Sequence, residues 1–342
     1  MDALIFYARA VHFAATMMVA GAVFFAVLIA EPALRKTADH SHAAAQFQAR
    51  LASIAWGGIA FSLLSGAAWL VLTVASMSGQ PAAQVYASGV LWTVLSQTVF
   101  GNDWLVRFVI ACGLTALFAP LFSTARAKPV WLRAAAILLA AALVGSLAFA
   151  GHAIGAQGLE GVLHPAADVV HLVAAAAWVG SLVPLALLLA IDEADTSALA
   201  AARIATLRFS MLGIVSVAAI LITGIVNSWY LVGSVAAFTE SEYGRLLLVK
   251  IALFAAMVAI ASVNRLWLTP AMVDNADLAA ALRARRRLRR NAAIEAFFGA
   301  AIIAIVAVLG TLPPASHAHH HAAEAIPAGA SFQHIHGEDG MA

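Results

Sequence analysis

Long apolar stretches separated by short polar segments are the main pattern along the chain. A membrane-spanning helix needs about 20 predominantly apolar residues, and eight stretches meet that requirement. A ninth apolar segment, residues 85–100, is shorter and interrupted by polar residues, so we expect an interfacial or re-entrant helix there. The pattern predicts an all-α protein with eight transmembrane helices, covering roughly residues 4–30, 52–77, 103–123, 131–151, 167–190, 208–235, 246–268 and 292–312.

The composition supports a membrane protein. Hydrophobic residues make up 63% of the chain and charged residues 11%. Soluble domains have about 45–50% apolar and about 25% charged residues, so this chain has too little polar surface to face water. The single cysteine, Cys112, excludes a disulfide framework and a CxxC site. No nucleotide-binding or phosphorylation motif occurs, and we predict that the protein is not an enzyme.

The placement of lysine and arginine predicts the orientation, because cytoplasmic loops of membrane proteins are enriched in these residues. Alternate connections between the eight stretches carry 15 of the 19 basic residues. Both termini are therefore expected outside the cytoplasm. The basic cluster before the last stretch predicts a topology anchor on anionic lipid rather than nucleic-acid binding; it contains Arg283, Arg285, Arg286, Arg287, Arg289 and Arg290.

The two halves of the sequence resemble each other. His12 lies nine residues before Gly21, and His171 lies nine residues before Gly180. Further matches follow in the same order: Ser65-Gly66 with Thr223-Gly224, and Phe100-Gly101 before Arg107 with Tyr243-Gly244 before Lys250. Chance similarity between Ala/Leu-rich helices is the alternative. The matches predict a parallel duplication of a four-helix unit with a site between the repeats, divided into residues 1–155, residues 156–314 and a His-rich tail, 315–342.

Ionisable side chains inside a membrane are costly and tend to face protein or a cavity. His12 and His171 are therefore the first candidates for a site. His164, Asp168, His171 and Trp178 follow a helical stripe, so Asp168 can orient His171 or bind a metal directly. An ion pair between Arg9 and Asp168 would explain how both charges are tolerated. The alternative for the histidines is hydrogen bonding between helices.

Histidines concentrate on the predicted outer side. His152 ends the fourth stretch, His164 precedes the fifth, and no cysteines cluster with them. This ligand type suits copper, and also zinc; His152 and His164 can equally be interfacial loop residues. On the opposite side, Glu295 and Asn264 can form an inner exit for an ion or a structural hydrogen bond. The tail predicts a metal-collecting arm through His317, His319, His320, His321, His334 and His336.

At these motifs the chain resembles the copper resistance protein D family (CopD, PcoD and YcnJ types) of bacterial inner-membrane proteins. The most specific segment is Asp168-Val-Val-His171 followed by Trp178-Val-Gly. Other matching segments begin at Arg9, Thr98, Gly151, Arg208, Tyr243, Asn264 and Gly310. The resemblance implies eight spans, periplasmic termini and the handling of periplasmic copper, often with a CopC-like carrier as partner and copper moving inward.

Three functions fit the sequence. The first is copper transport across the inner membrane, with Cu(I) or Cu(II) binding His12, His171, His152 and, with Asp168, His164; Arg9, Trp178 and Arg107 would support the site. The second is a b-type haem protein in which His12 and His171 are the axial ligands. The third is a copper-binding sensor or structural subunit without transport. The transport direction, the oxidation state of copper and the oligomeric state stay open.

Overall fold

A computed structural model describes residues 2–37, 42–123, 128–150, 160–191, 196–232, 234–273 and 277–312. Within these residues, eight helices are long and apolar enough to cross a membrane. With two short helices they are α1 (Ala3–Arg35), α2 (Ala44–Ser78), α3 (Val90–Gln97), α4 (Val99–Leu121), α5 (Val130–Phe149), α6 (Gly161–Leu188), α7 (Ala198–Val232), α8 (Ala237–Glu240), α9 (Glu242–Val273) and α10 (Leu278–Leu309).

The prediction of an all-α membrane protein with eight spans is confirmed. The spans are longer than the apolar stretches because polar residues at their ends continue the helices. α2, for example, starts at Ala44, before Gln46 and Arg50. The ninth apolar segment forms α3, whose eight residues extend only about 12 Å and cannot cross a bilayer.

α1 lies at the centre of the bundle, where it packs against α2, α5, α6 and α10. Its residues from Val19 to Phe25 are buried. Gly21 of α1 meets Gly180 of α6 so closely that a Cβ atom on either glycine would clash with the backbone of the other helix. Ser181 Oγ also donates to Gly21 O at 3.1 Å. Small residues allow such backbone contacts in membrane proteins, and this one joins the two halves.

The start of α4 and the start of α9 have the same structure. Thr98 Oγ1 caps α4 by accepting from Gly101 N at 2.9 Å, and Ser241 Oγ caps α9 by accepting from Gly244 N at 2.9 Å. In each case a short helix, α3 or α8, packs against the glycine, which leaves no space for a Cβ atom. These matching caps extend the similarity of the two halves from sequence to geometry, while the boundaries at residues 155 and 314 stay predictions.

Basic side chains at one end of the bundle bond to helix carbonyls. Arg208 Nε donates to Leu28 O at 2.6 Å, and Arg203 Nε donates to Met272 O at 2.8 Å. Arg285 is fully buried and donates to Leu189 O and Ile191 O at the end of α6. Cations stabilise the carbonyl ends of helices. Arg285 therefore holds α10 to α6, which the interpretation of its cluster as a lipid anchor did not foresee.

Candidate functional site

His12 lies inside the first half, with 3% of its surface exposed. Its Nδ1 is 2.9 Å from Ser62 O of α2. The rings of Trp69 and Trp104 lie 5.6 and 5.5 Å from the imidazole, between centroids. Gly66 faces the imidazole, because a Cβ there would lie 3.0 Å from Cε1. Helices α1, α2 and α4 thus form an aromatic box around one imidazole.

Two arginines border this box. Arg107 is 2% exposed and donates to Asp103 Oδ2 at 2.7 Å and to Ser146 Oγ and O at 3.0 and 2.9 Å. Its guanidinium lies 4.6 Å from the centroid of a Trp104 ring. Arg9 donates to Gly310 O at 2.6 Å and lies over Trp69 at 5.5 Å. Arg107 interacts electrostatically with His12 and has Asp103 as its ion-pair partner, whereas Arg9 reaches the box through Trp69.

His171 occupies the corresponding place in the second half. Its Nδ1 is 3.0 Å from Thr223 Oγ1 of α7. Gly224 faces the imidazole, as Gly66 faces His12, and a Cβ there would lie 3.7 Å from Cε1. Lys250 of α9 interacts electrostatically with His171, as Arg107 of α4 does with His12. The histidines and glycines that match in sequence therefore also match in contact, and Arg107 and Lys250 each interact electrostatically with the histidine of their own half.

Asp168 lies one helical turn before His171. Its Oδ1 accepts from Asn227 Nδ2 at 3.2 Å, and it interacts electrostatically with Lys250 and His164. His164 is buried and stacks on Tyr230, with 5.1 Å between ring centroids. Asp168 and Lys250 thus place one negative and one positive side chain near His171.

The hydrogen bonds fix the tautomer of both imidazoles. Ser62 O is a carbonyl and can only accept, so His12 Nδ1 carries the proton. Thr223 Oγ1 donates to Ala219 O at 2.6 Å, so it accepts from His171 Nδ1. In both residues the lone pair then lies on Nε2, the arrangement of a metal-binding histidine oriented through its other nitrogen. His12 Nε2 is buried and has no hydrogen-bond partner among the described residues.

The structure brings only some of the predicted site residues together. His164, Asp168 and His171 share one face of α6, whereas the contacts of His12 lie in the first half. No contact joins His12 to His171. Within the described residues no three His, Cys, Asp or Glu side chains form a group that can hold a metal ion. His152 and the tail histidines lie outside the described residues, and the roles of all these residues stay predictions.

The expected ion pair between Arg9 and Asp168 was wrong. Arg9 bonds to the carbonyl of Gly310 instead, and Asp168 faces Asn227 and Lys250. Both residues lie three positions before a histidine, but Arg9 bonds to the end of α10 while Asp168 bonds to α7. The sequence interpretation also missed Ser62 and Trp69 as neighbours of His12, although the repeat match of Ser65-Gly66 with Thr223-Gly224 pointed to this part of α2.

Comparison with known proteins matches the sequence to two family models. Residues 1–162 match the model for the copper resistance protein D-like N-terminal domain, and residues 203–309 match the model for copper resistance protein D. Copper resistance protein D of Pseudomonas syringae pv. tomato is 32% identical over 302 residues, which are 87% of this chain and 93% of that protein. The chain belongs to the copper resistance protein D family.

Two other relatives show how far the family similarity extends. Inner membrane protein YebZ of Escherichia coli K12 is 29% identical over 306 residues, which cover 90% of this chain and 97% of YebZ. Copper transport protein CutJ of Bacillus subtilis 168 is 26% identical over 231 residues, which cover 67% of this chain and 39% of CutJ. No solved structure matches the chain significantly.

Proposed function

We propose that this protein transports copper across the bacterial inner membrane, with His171 as the principal copper contact. The names of relatives support a copper-related membrane function: one is a copper resistance protein, one a copper transport protein and one an inner membrane protein. The observation that carries the choice of residue is the geometry of His171. Thr223 holds its Nδ1, its Nε2 keeps a lone pair, and Asp168 lies one turn away on the same helix.

Local charge favours His171 over His12 as the site that copper contacts. A cation near the aromatic box of His12 would meet Arg9 and Arg107, and among the described residues only Arg107 has an aspartate partner. Near His171, Asp168 offsets Lys250. Because charges interact strongly in a low dielectric, the balanced environment binds a cation with the smaller penalty. His12 then contributes less to copper binding than His171.

A transported ion must bind well enough to enter and weakly enough to leave. A single imidazole with a nearby carboxylate fits that requirement better than a closed site with four ligands. His164 and Asp168 precede His171 on α6, so they lie along the path of an ion that enters from the start of this helix. We assign that end to the periplasm because the basic residues gather at the other end.

Both termini, and with them the His-rich tail, are periplasmic in this proposal. The tail collects copper and a CopC-like periplasmic carrier delivers it, and copper moves inward past His171.

The test is copper accumulation in cells that express the protein. We expect His171→Ala to lower accumulation to the level of cells without the protein. Thr223→Val removes the group that orients His171, so we expect it to lower copper affinity about ten- to hundred-fold and accumulation with it. His42→Ala is the matched control, because the predicted topology places His42 on the cytoplasmic side. Full accumulation with His171→Ala, at equal protein amount in the membrane, would rule out this residue as the copper contact.

A second measurement separates transport from binding alone. Purified protein in liposomes is expected to carry external copper into the lumen, where a trapped chelating dye reports it. Copper that binds the protein while none reaches the dye would indicate a sensor or a structural subunit instead.

A further inference from the structure

A cavity in the second half of the bundle is lined by a cluster of polar side chains, apart from His171. The cavity has a volume of about 320 Å³ and lies between α6, α7, α9 and α10. Most of its wall is apolar, but Thr206, Ser210, Asn264, Arg265 and Glu295 also line it. Arg265 is in the wall, and Glu295 follows the basic cluster of α10 by five residues. The cavity is therefore near the basic end of the bundle.

Glu295 has no charged partner in this cavity. It is 1% exposed, and its Oε1 accepts from Asn264 Nδ2 at 2.8 Å, while its Oε2 has no hydrogen-bond partner among the described residues. Arg265 is the other charged residue of the described wall, and its Nη1 donates to Ser210 Oγ at 2.7 Å. The walls from α6 and α7 contribute apolar and hydroxyl side chains and no titratable group.

A second orphaned polar atom lines the same cavity. Thr206 is 3% exposed, and its Oγ1 also has no hydrogen-bond partner in the described part of the chain. Buried polar atoms normally have partners, so each exception requires an explanation. Two of them on one cavity wall, with room for several water molecules, indicate a site that exchanges a small polar species with its surroundings.

The chemistry of the carboxyl group identifies that species. An ionised carboxylate without a counter-charge is strongly disfavoured in an apolar environment, whereas its protonated form is tolerated. The helix is also irregular at this point, because Asn264 begins a π-helical segment, Asn264–Leu268, and such segments occur often at functional sites. Asn291 Nδ2 donates to Asn264 Oδ1 at 2.7 Å and thereby aims the Asn264 amide at Glu295.

We propose that Glu295 is a proton-binding site that exchanges with water in this cavity. A hydronium ion gives its proton to Glu295 Oε2 and becomes water, and deprotonation reverses the step. Trp178 lines the cavity and packs against Phe254, and His171 lies seven residues before it, about 10 Å along α6. The proton site is thus separate from the proposed copper contact.

The direct test is infrared difference spectroscopy of the purified protein between acidic and alkaline pH, in water and in D₂O. We expect a protonated-carboxyl band that titrates, shifts in D₂O and is absent from Glu295→Gln. Gln keeps the acceptor for Asn264, so the fold is retained. Glu240→Gln, at an exposed glutamate, is the matched control and leaves the band unchanged. Identical spectra for wild type and Glu295→Gln, or a band that neither titrates nor exchanges, would overturn the proposal.

His171→Ala distinguishes the proton site from the proposed copper function. The carboxyl band is expected to titrate in this variant as in the wild type, because the two sites are separate. If the band titrates in a protein that moves no copper, the proton site is supported and only the proposed copper transport is refuted. A band lost in His171→Ala, with the variant folded, would refute the independence of the proton site.

Discussion

Gly21→Ala is expected to leave little folded protein in the membrane. A Cβ atom at position 21 would overlap the backbone of Gly180, and a Cβ at position 180 would overlap Met17 O and approach Gly21. Overpacking of a core side chain typically costs about 1–3 kcal/mol. The cost here is expected to be higher, because backbone atoms cannot rotate away. Thermal unfolding and size-exclusion profiles in detergent measure the loss.

Gly57→Ala is the matched control for this prediction. Gly57 is in α2 and has no atom within 4 Å of a Cβ built on it. Alanine stabilises a helix by about 1 kcal/mol relative to glycine, so this variant is expected to unfold at the same temperature as the wild type or a higher one. Equal stability of Gly21→Ala and Gly57→Ala would show that α1 and α6 do not meet at these glycines.

Arg107→Gln is expected to cause the second-largest loss of stability. Arg107 ties α4 to the end of α5 through Ser146 and forms an ion pair with Asp103. Removing one partner of a fully buried ion pair typically costs about 3–5 kcal/mol; Asp103 is partly exposed, so we expect a cost towards the lower end of this range. A large fall in the unfolding temperature is expected, and the cation–π contact of the guanidinium with Trp104 is also lost.

Two variants test the reason for that loss. The double variant Asp103→Asn with Arg107→Gln removes both charges, so we expect it to be more stable than Arg107→Gln alone. Arg50→Gln removes an exposed arginine and is expected to change stability by less than about 0.5 kcal/mol. If the double variant is less stable than Arg107→Gln, the uncompensated charge of Asp103 does not cause the loss of stability in Arg107→Gln.

Much of the fold follows from the sequence because the membrane imposes simple rules. The apolar stretches identify the spans directly, because a lipid bilayer requires about 20 apolar residues for each span. The short helix α3 was anticipated because its segment is too short and too polar to cross. The repeat also appeared in the spacing from His12 to Gly21 and from His171 to Gly180, and these two glycines are where the halves meet.

The partners of the charged residues did not follow from the sequence. Helical periodicity fixes which residues share a face, but the direction of that face depends on how each helix rotates against its neighbours. The contact of Gly21 with Gly180 sets that rotation for α1 and α6. His12 consequently faces Ser62 and His171 faces Thr223, each within its own half. A copper site shared by both histidines stays a prediction.

The b-type haem protein stays the second predicted function. Axial ligation requires two imidazoles on opposite faces of one porphyrin, so this alternative depends on His12 and His171 together. An absorption spectrum of the purified protein tests this alternative, because bound haem would give a Soret band that is lost in His12→Ala.

The copper content of purified protein, after loading and removal of weakly bound metal, tests the central proposal most directly. Wild type, His12→Ala, His171→Ala and the double variant are compared by elemental analysis at equal protein concentration. We predict that the wild type retains copper, that His12→Ala retains most of it and that His171→Ala and the double variant retain none. Equal copper in all four proteins would contradict the assignment of copper to these histidines.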